Sequence, residues 1–365
     1  MKKQFLLLGL AVAAMTSCTN DEVLEVQQPV QKAIGFESFV NKETRNVTET
    51  NSSIAKFYTF GFYGAGTTEA QKVFQNVEVY KQTNEEEEEE WVYTGTKYWT
   101  KNKYYFAAYA NNNSAVIDET TTQNGKLNNV TFANVSSNPT LTISNYEVTD
   151  ENDLVADVLS EIDNSNYQSY NAPVSFTFNH LLTRVKFRVI NTSQEYRMRI
   201  TTALTVNGAK KTGTCKVVAD ANGAGATWEP SGNEHVYTPI AATAEDEYIA
   251  KSNDDNDNDQ VISQDFFLLP QTLNVKDESG NITSSDVTFT IVADFYDDNN
   301  QVVKTKTLTT KAFSIDAWEV GKYYDFTISL PVVAKPIEFG NPTVPGWGDA
   351  TSVELNGDDE DNTQS

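Results

Sequence analysis

The residues able to do chemistry are few and far apart. The chain has two histidines, His180 and His235, and two cysteines, Cys18 and Cys215. His180 lies in Phe178-Asn179-His180-Leu181-Leu182, beside an apolar run. A general base could sit there, but no convergent acid or nucleophile accompanies it, so it reads as a partly buried structural histidine. His235 falls in a stretch bearing Gly and Glu and reads as a surface residue. Cys215 has only Lys216 beside it as a cation. A reactive thiolate needs a lowered pKa, so this thiol reads as inert. Asp255-Asn256-Asp257-Asn258-Asp259 imitates the start of a Ca²⁺ loop. Gln260 and Phe266 stand where an EF-hand needs Gly and Glu, which leaves at most a weak loop site over 254–259. Glu85 to Glu90 are six acids in a row and read as a solvated loop. Tyr104, Tyr105 and Tyr109 could stack on a sugar, but their alternating apolar setting reads as core. No GxSxG, HExxH, Walker or dinucleotide pattern occurs. The chain therefore reads as no enzyme, with no cofactor and no resident metal.

Charge excludes further classes. Over 365 residues, 51 Asp plus Glu outweigh 27 Lys plus Arg, a formal net charge of −24. Nucleic acid is excluded as a partner, because its affinity comes from cations neutralising phosphates. Docking on anionic lipid through basic patches is excluded on the same ground. Aromatic residues reach 11%, with 17 Tyr and 19 Phe, a composition suited to pleated, half-buried surfaces.

The first residues read as an address. Met1-Lys2-Lys3 precedes the apolar run Phe5 to Ala14, then Met15-Thr16-Ser17-Cys18. A basic start, a short apolar core and small residues make a secretory signal. Ten residues reach about 15 Å as a helix, half of a ~30 Å hydrocarbon core, so this is no stable membrane span. Cys18, at the end of the run, resembles the invariant cysteine of a bacterial lipobox, with residues 1–17 removed and Cys18 acylated. Asp21 and Glu22 come shortly after it, and resemble a signal for the outer leaflet in some Gram-negative anaerobes.

Strand periodicity dominates the rest of the chain. Lys32 to Val40 alternates, with Ile34, Phe36, Ser38 and Val40 on one side. Lys56 to Tyr63, Val73 to Tyr80, Tyr104 to Tyr109, Val174 to Phe178, Val185 to Val189 and Tyr323 to Leu330 also read as strands. Val287 to Tyr296 and Gln301 to Thr309 form a hairpin through Asp297-Asp298-Asn299-Asn300. One stretch looks helical: Asp150 to Leu159, with Asp150 as cap and Leu154, Val155, Val158 and Leu159 as a stripe. The polar stretch before Pro173 marks a domain boundary. From Asp349 onward the tail is acidic and expected to fray.

Taken in order, these pieces resemble the fimbrillins, in their Mfa-like branch: subunits of type V pili made as outer-membrane lipoproteins. The resemblance rests on Cys18, on Lys32–Val40 with Thr44-Arg45 after it, and on Trp99 with the Tyr104–Tyr109 strand. It continues through Asp153-Leu154-Val155, Phe176 to Val185, Trp318 to Ile328 and the closing Val344 to Trp347. It implies an all-β fold of two transthyretin-like (Greek-key) β-sandwich domains in tandem, with a C-terminal donor-strand-like extension. The expected layout is a signal over 1–17, a lipidated tether with the first strand over 18–45, and sandwiches over 46–172 and 173–334. A strand pair over 335–348 and an acidic tail over 349–365 complete it.

The resemblance also implies a function. The subunit would travel to the outer membrane on its acyl chains. A protease would cut between Arg45 and Asn46, the first strand would leave, and the opened groove would take a strand from another subunit. Ile337, Phe339, Val344 and Trp347 are the candidate donor side chains. Two readings stay open for each piece: Arg45 as an ordinary loop residue, and the donor segment as a fixed strand pair of its own domain. The expected partners are other pilus subunits, the outer membrane before processing, and a host or bacterial surface ligand. The expected location is the cell surface, then the fimbrium. The alternative is a non-polymerising surface lipoprotein, either an anchor subunit or a binder of glycan or host protein.

Overall fold

The computed structural model describes residues 32–40, 54–66, 68–111, 125–135, 138–149, 153–166, 172–220, 223–252, 260–313, 315–330, 332, 338–343 and 355–359. In chain order the strands are β1 Phe36–Val40, β2 Lys56–Tyr63, β3 Lys72–Thr83, β4 Glu89–Tyr93, β5 Lys103–Asn111, β6 Val130–Val135, β7 Asn138–Glu147 and β8 Leu154–Val158. Next come β9 Ile162–Asp163, β10 Val174–His180, β11 Thr183–Asn191, β12 Arg197–Asp220, β13 Gly223–Ile240, β14 Gln260–Ile262, β15 Phe266–Leu268 and β16 Gln271–Thr272. The last are β17 Asn274–Lys276, β18 Ile282–Ser285, β19 Thr288–Tyr296, β20 Val302–Ala312, β21 Ala317–Trp318, β22 Tyr323–Leu330, β23 Glu338–Thr343 and β24 Leu355–Asp359. One 3-10 turn, Glu69–Gln71, interrupts them. The chain is all-β, as its alternating aromatic runs require.

Two large sheets carry the fold. The first runs β1-β10-β8-β5-β2-β3-β4, with β9 on β5. Its two ends meet. Ile34 N–H donates to Lys97 O at 2.8 Å and Trp99 N–H to Lys32 O at 3.0 Å, so the segment leading into β1 is stitched beside β4. Inside this curl lies an aromatic core that includes Phe36, Phe57, Phe74, Trp99, Phe106 and Phe176.

The second sheet runs β14-β11-β22-β23-β24-β20-β19-β12-β7-β6, with β13 on β12 and β15 on β11. It too folds over itself: Phe187 of β11 meets Phe289 of β19 edge-on at 4.9 Å, and Phe289 meets Phe326 of β22 at 5.2 Å. β12 joins the two halves. Its first part pairs with β19 and its later part with β7, while β13 pairs with it from Leu204 to Asp220. The β6–β7 end reaches the outer face of the first sheet, where the Phe62 and Phe132 rings meet at a tilt, centroids 5.0 Å apart.

Three tight hairpins share one design. Asn84, Asp277 and Asp297 each place Oδ1 to accept the backbone N–H groups two and four residues on, at 2.8–2.9 Å. The fourth residue of each turn has positive φ: Glu87 at 63°, Gly280 at 83° and Asn300 at 62°. Gly and Asn adopt that region readily, whereas Glu does not. The expected Asp297–Asn300 turn is one of the three. The expected loop of six Glu is another, and its last two members, Glu89 and Glu90, belong to β4.

Three expectations need correction. Leu154–Val158 is a strand, not a helix, and all five residues are buried. A short apolar run fits a helical stripe and a doubly covered central strand equally well, and here strands flank it on both sides. No single change of sheet falls at Pro173: β6 and β7 already belong to the second sheet, β8 to β10 return to the first, and the chain crosses again between His180 and Thr183. The tail is not frayed throughout, because Leu355–Asp359 is a strand inside the second sheet.

Candidate functional site

The clearest seat for an exchangeable element is that of β1. Period-two alternation sends Ile34 and Phe36 inward, 1% and 5% exposed. The Phe36 ring stands edge-on to Phe57 at 6.0 Å, Phe74 at 5.2 Å and Tyr93 at 5.6 Å, and stacks on Phe176 at 6.0 Å. Aromatic pairs at such spacings add about 0.5–1.5 kcal/mol each beyond burial. Tyr93 also donates its hydroxyl to Ile34 O at 2.8 Å, and burial raises the pKa of that phenol. Along its other edge β1 pairs with β10 in parallel, from Phe36 opposite Val174 to Val40 opposite Phe178. Val174 N–H donates to Gly35 O at 2.8 Å.

The neighbour β10 is itself lightly held. It pairs with β8 only at Asn179–Ala156 and His180–Val155. Beyond that the ladder is replaced by a side chain: Asp157 Oδ2 accepts the Thr177 N–H at 2.7 Å. Asp157 is 6% exposed, and burial lifts its pKa from 3.8 to about 6 against the opposing pull of two backbone N–H groups. At the end of β10, His180 Nδ1 pairs with Asp153 Oδ2, and both side chains are largely buried. The Thr177 and His180 contacts fix the β10 backbone while β1 occupies its far edge.

The second seat lies in the second sheet. β23 pairs antiparallel with β22, with Phe339 opposite Ile328 and Thr343 opposite Asp325. β24 lies between β23 and β20, with Asp359 opposite Leu308 and Asp358 opposite Thr309. The C-terminal strands thus complete the chain's own sheet. Of the candidate donor residues, Phe339 lies in β23, while Ile337, Val344 and Trp347 fall outside the described residues. So do Cys18, Arg45, Asn46 and the acidic run 254–259.

The remaining sequence candidates are packing residues. Cys215 is buried, and burial alone pushes its thiol up to about 12. Tyr104 and Tyr109 are core residues; Tyr105 donates its hydroxyl to Glu161 at 2.5 Å on the surface. His235 lies in β13 against the Tyr237 ring at 4.6 Å. Among the described residues no group of three or more His, Cys, Asp or Glu is placed to hold a metal ion. Sequence reading missed Asp157 and β24. The first looks like any strand carboxylate, and the second has no strand pattern.

Known proteins match this chain in sequence, and solved structures align with it. Residues 44–347 match the family described as Fimbrillin-like. The fimbrium subunit Fim1C of Phocaeicola vulgatus is 23% identical over 201 residues, 51% of this chain and 50% of that protein. The chain thus spans about half the length of this curated relative. Among solved structures, a candidate cell adhesion protein of Bacteroides eggerthii aligns with TM-score 0.44 and 14% identity, covering 91% of this chain and 96% of that one. The tip fimbrial protein Mfa3 of Porphyromonas gingivalis aligns with TM-score 0.37 and 8% identity, covering 91% and 99%.

Proposed function

The chain belongs to the fimbrillin-like family, and from that premise we propose that it is a structural subunit of a cell-surface pilus, assembled by proteolysis-gated strand exchange. The observation that supports this best is the seat of β1. One short strand next to the Arg45 loop fills the aromatic core of the first sheet with Phe36 and covers the edge of β10. Cleavage between Arg45 and Asn46 would let it leave. A bare β10 edge beside Phe57, Phe74 and Phe176 is a site for strand addition: the ladder supplies strength and alternate side chains supply fit. The donor in this reading is the C-terminal segment with Ile337, Phe339, Val344 and Trp347. Its strand β23 lies in the chain's own sheet before exchange.

In the same reading Cys18 is acylated and carries the subunit to the outer membrane before processing. The partners are further pilus subunits, and adhesion is the use of the finished fibre.

The test is the N-terminus and intact mass of the protein recovered from the cell surface. A chain beginning at Asn46 without lipid, and an Arg45→Ala variant that folds but forms no fibres, are the expected results. A chain that still begins at acylated Cys18 within assembled fibres would overturn the reading. An acylated, fibre-free protein would move it to the anchor or glycan-binding alternative.

A further inference from the structure

The seat of β1 is paired along both edges, and that gives it a direction. On one edge β1 runs parallel to β10. On the other, Ala33 bridges Tyr98 antiparallel, with Ile34 N–H donating to Lys97 O and Trp99 N–H to Lys32 O. A replacement strand keeps both pairings only if it runs the way β1 runs. The two pockets have an order as well. Ile34 comes first, its carbonyl accepting the Tyr93 hydroxyl, and Phe36 comes second, among four aromatic rings.

The same pattern stands once more in the chain. Ile-x-Phe occurs twice in the 365 residues, each time with a Lys two places before the Ile. The two copies are Lys32-Ala33-Ile34-Gly35-Phe36 and Lys335-Pro336-Ile337-Glu338-Phe339. They differ at two positions, and the seat admits both differences. Among the described residues Ala33 N–H donates to no backbone acceptor, so Pro336 in its place forfeits no ladder bond. Gly35 is exposed, and a Cβ built on it would meet Pro173 Cβ at 3.8 Å, an ordinary contact, so Glu338 in its place fits. Beyond the Phe the copies part. Pro342 falls where Phe39 stands and brings no N–H, so the second copy makes the shorter ladder.

We infer that the occupant of the emptied β1 seat is residues 335–339 of a second copy of this chain, running as β1 runs. Ile337 takes the place of Ile34, and Phe339 the place of Phe36. β1 is then a stand-in, carried in the same chain, for a segment that another copy supplies. The inference rests on the strand-exchange reading and adds to it a partner, a direction and a register: a like subunit, aligned as β1 is aligned.

The first experiment uses the full chain as an unassembled subunit. Ala33→Pro with Gly35→Glu writes the C-terminal sequence into β1. Ile34→Phe with Phe36→Ile reverses the order of the pockets at constant composition. Hydrogen exchange of the β10 amides is the readout. The first variant is expected to keep wild-type rates within about twofold. The second is expected to exchange about tenfold faster or more, because it overpacks one pocket and leaves a cavity in the other. A tenfold loss of protection in the first, or none in the second, would overturn the inference. The second experiment reads the fibre. The 3.8 Å separation at Gly35 matches the Cβ spacing of a disulfide. Glu338→Cys with Pro173→Cys is therefore expected to link neighbouring copies into a ladder of multimers on a non-reducing gel, which neither single variant forms. Gly340→Cys with Pro173→Cys should leave them unlinked. Fibres that link through position 340, or do not link at all, would overturn the register while the strand-exchange reading stands. If the wild type itself forms no fibres, the strand-exchange reading fails, and with it the second copy as occupant.

Discussion

The two ends of the chain each place a strand in a seat, and they do so by opposite means. β1 is held by its side chains: Phe36 alone touches four aromatic rings, and Ile34 lies fully inside. β24 reads Leu-Asn-Gly-Asp-Asp, a composition poor in strand formers, and is paired with β20 and β23 over short ladders. A strand fixed by a packed core does not leave on its own, because every ring contact must be given up together. Severing the chain beside it is the way to release it. A strand fixed mainly by short backbone ladders can come and go. The difference suits the proposed strand-exchange reading, in which the first strand is removed once and the last strands are handed over.

Four substitutions break or sharpen this contrast. Phe36→Ala should have the largest effect, a loss of about 3–5 kcal/mol, since truncating a buried Phe forfeits burial and leaves a cavity. Denaturant unfolding followed by tryptophan fluorescence would register it. A loss under about 1 kcal/mol would mean that β1 is not held by its side chains.

Asp157→Asn should act in the other direction. Burial raises the folded-state pKa of Asp157 from 3.8 to about 6, so the folded protein binds this proton more tightly than the unfolded chain. Its favourable share is complete below the unfolded value and is lost as pH rises through the folded one. The neutral amide keeps an oxygen for the Thr177 N–H and escapes that loss. The variant should gain about 2 kcal/mol near pH 7 and show a flatter stability profile between pH 4 and 7. An unchanged profile would mean that Asp157 is not what makes the β10 region pH-dependent.

Gly357→Val tests whether β24 is weak by composition. A β-branched residue there should strengthen the strand by about 1 kcal/mol, seen as slower amide exchange along β20 and slower assembly. Glu87→Gly is the small effect and the control, since Glu87 lies at the exposed tip of the Asn84 hairpin. Relieving positive φ on Glu should raise stability by about 0.5–1 kcal/mol in a melting experiment, with exchange at β10 and β20 unaltered.

How much of this was legible depended on where each signal lies. β10, β11, β19 and β22 announce themselves because their buried residues alternate with more exposed ones, whereas β2 and β5, covered on both faces, were legible from their aromatic content. Leu154–Val158 could not be told from a helix, because both of its faces are covered and alternation vanishes. Pro173 correctly marks the start of β10, but local punctuation does not say which sheet receives the strand. Ile34 and Phe36 were readable as one face of a strand. Their partners in β10 lie far along the chain, and parallel pairing leaves no turn signal to connect them. Asp157 was invisible because its role depends on a gap in the β8–β10 ladder. β24 was invisible because its residues argue against a strand, and only its neighbours make it one.

The long strand β12 has a mechanical consequence. It carries ladders to β13 from Leu204 to Asp220, to β19 from Arg197 to Asn207 and to β7 from Thr212 to Val218, with several bulges along the way. A pull along its axis therefore loads many hydrogen bonds at once, in shear, and none can fail until most do. The short ladder between β24 and β20 has only a few bonds to set against the same load. Under tension the chain would yield first at its C-terminal hairpin and last along β12, so that strain is taken up in the short ladders while the spine stays intact.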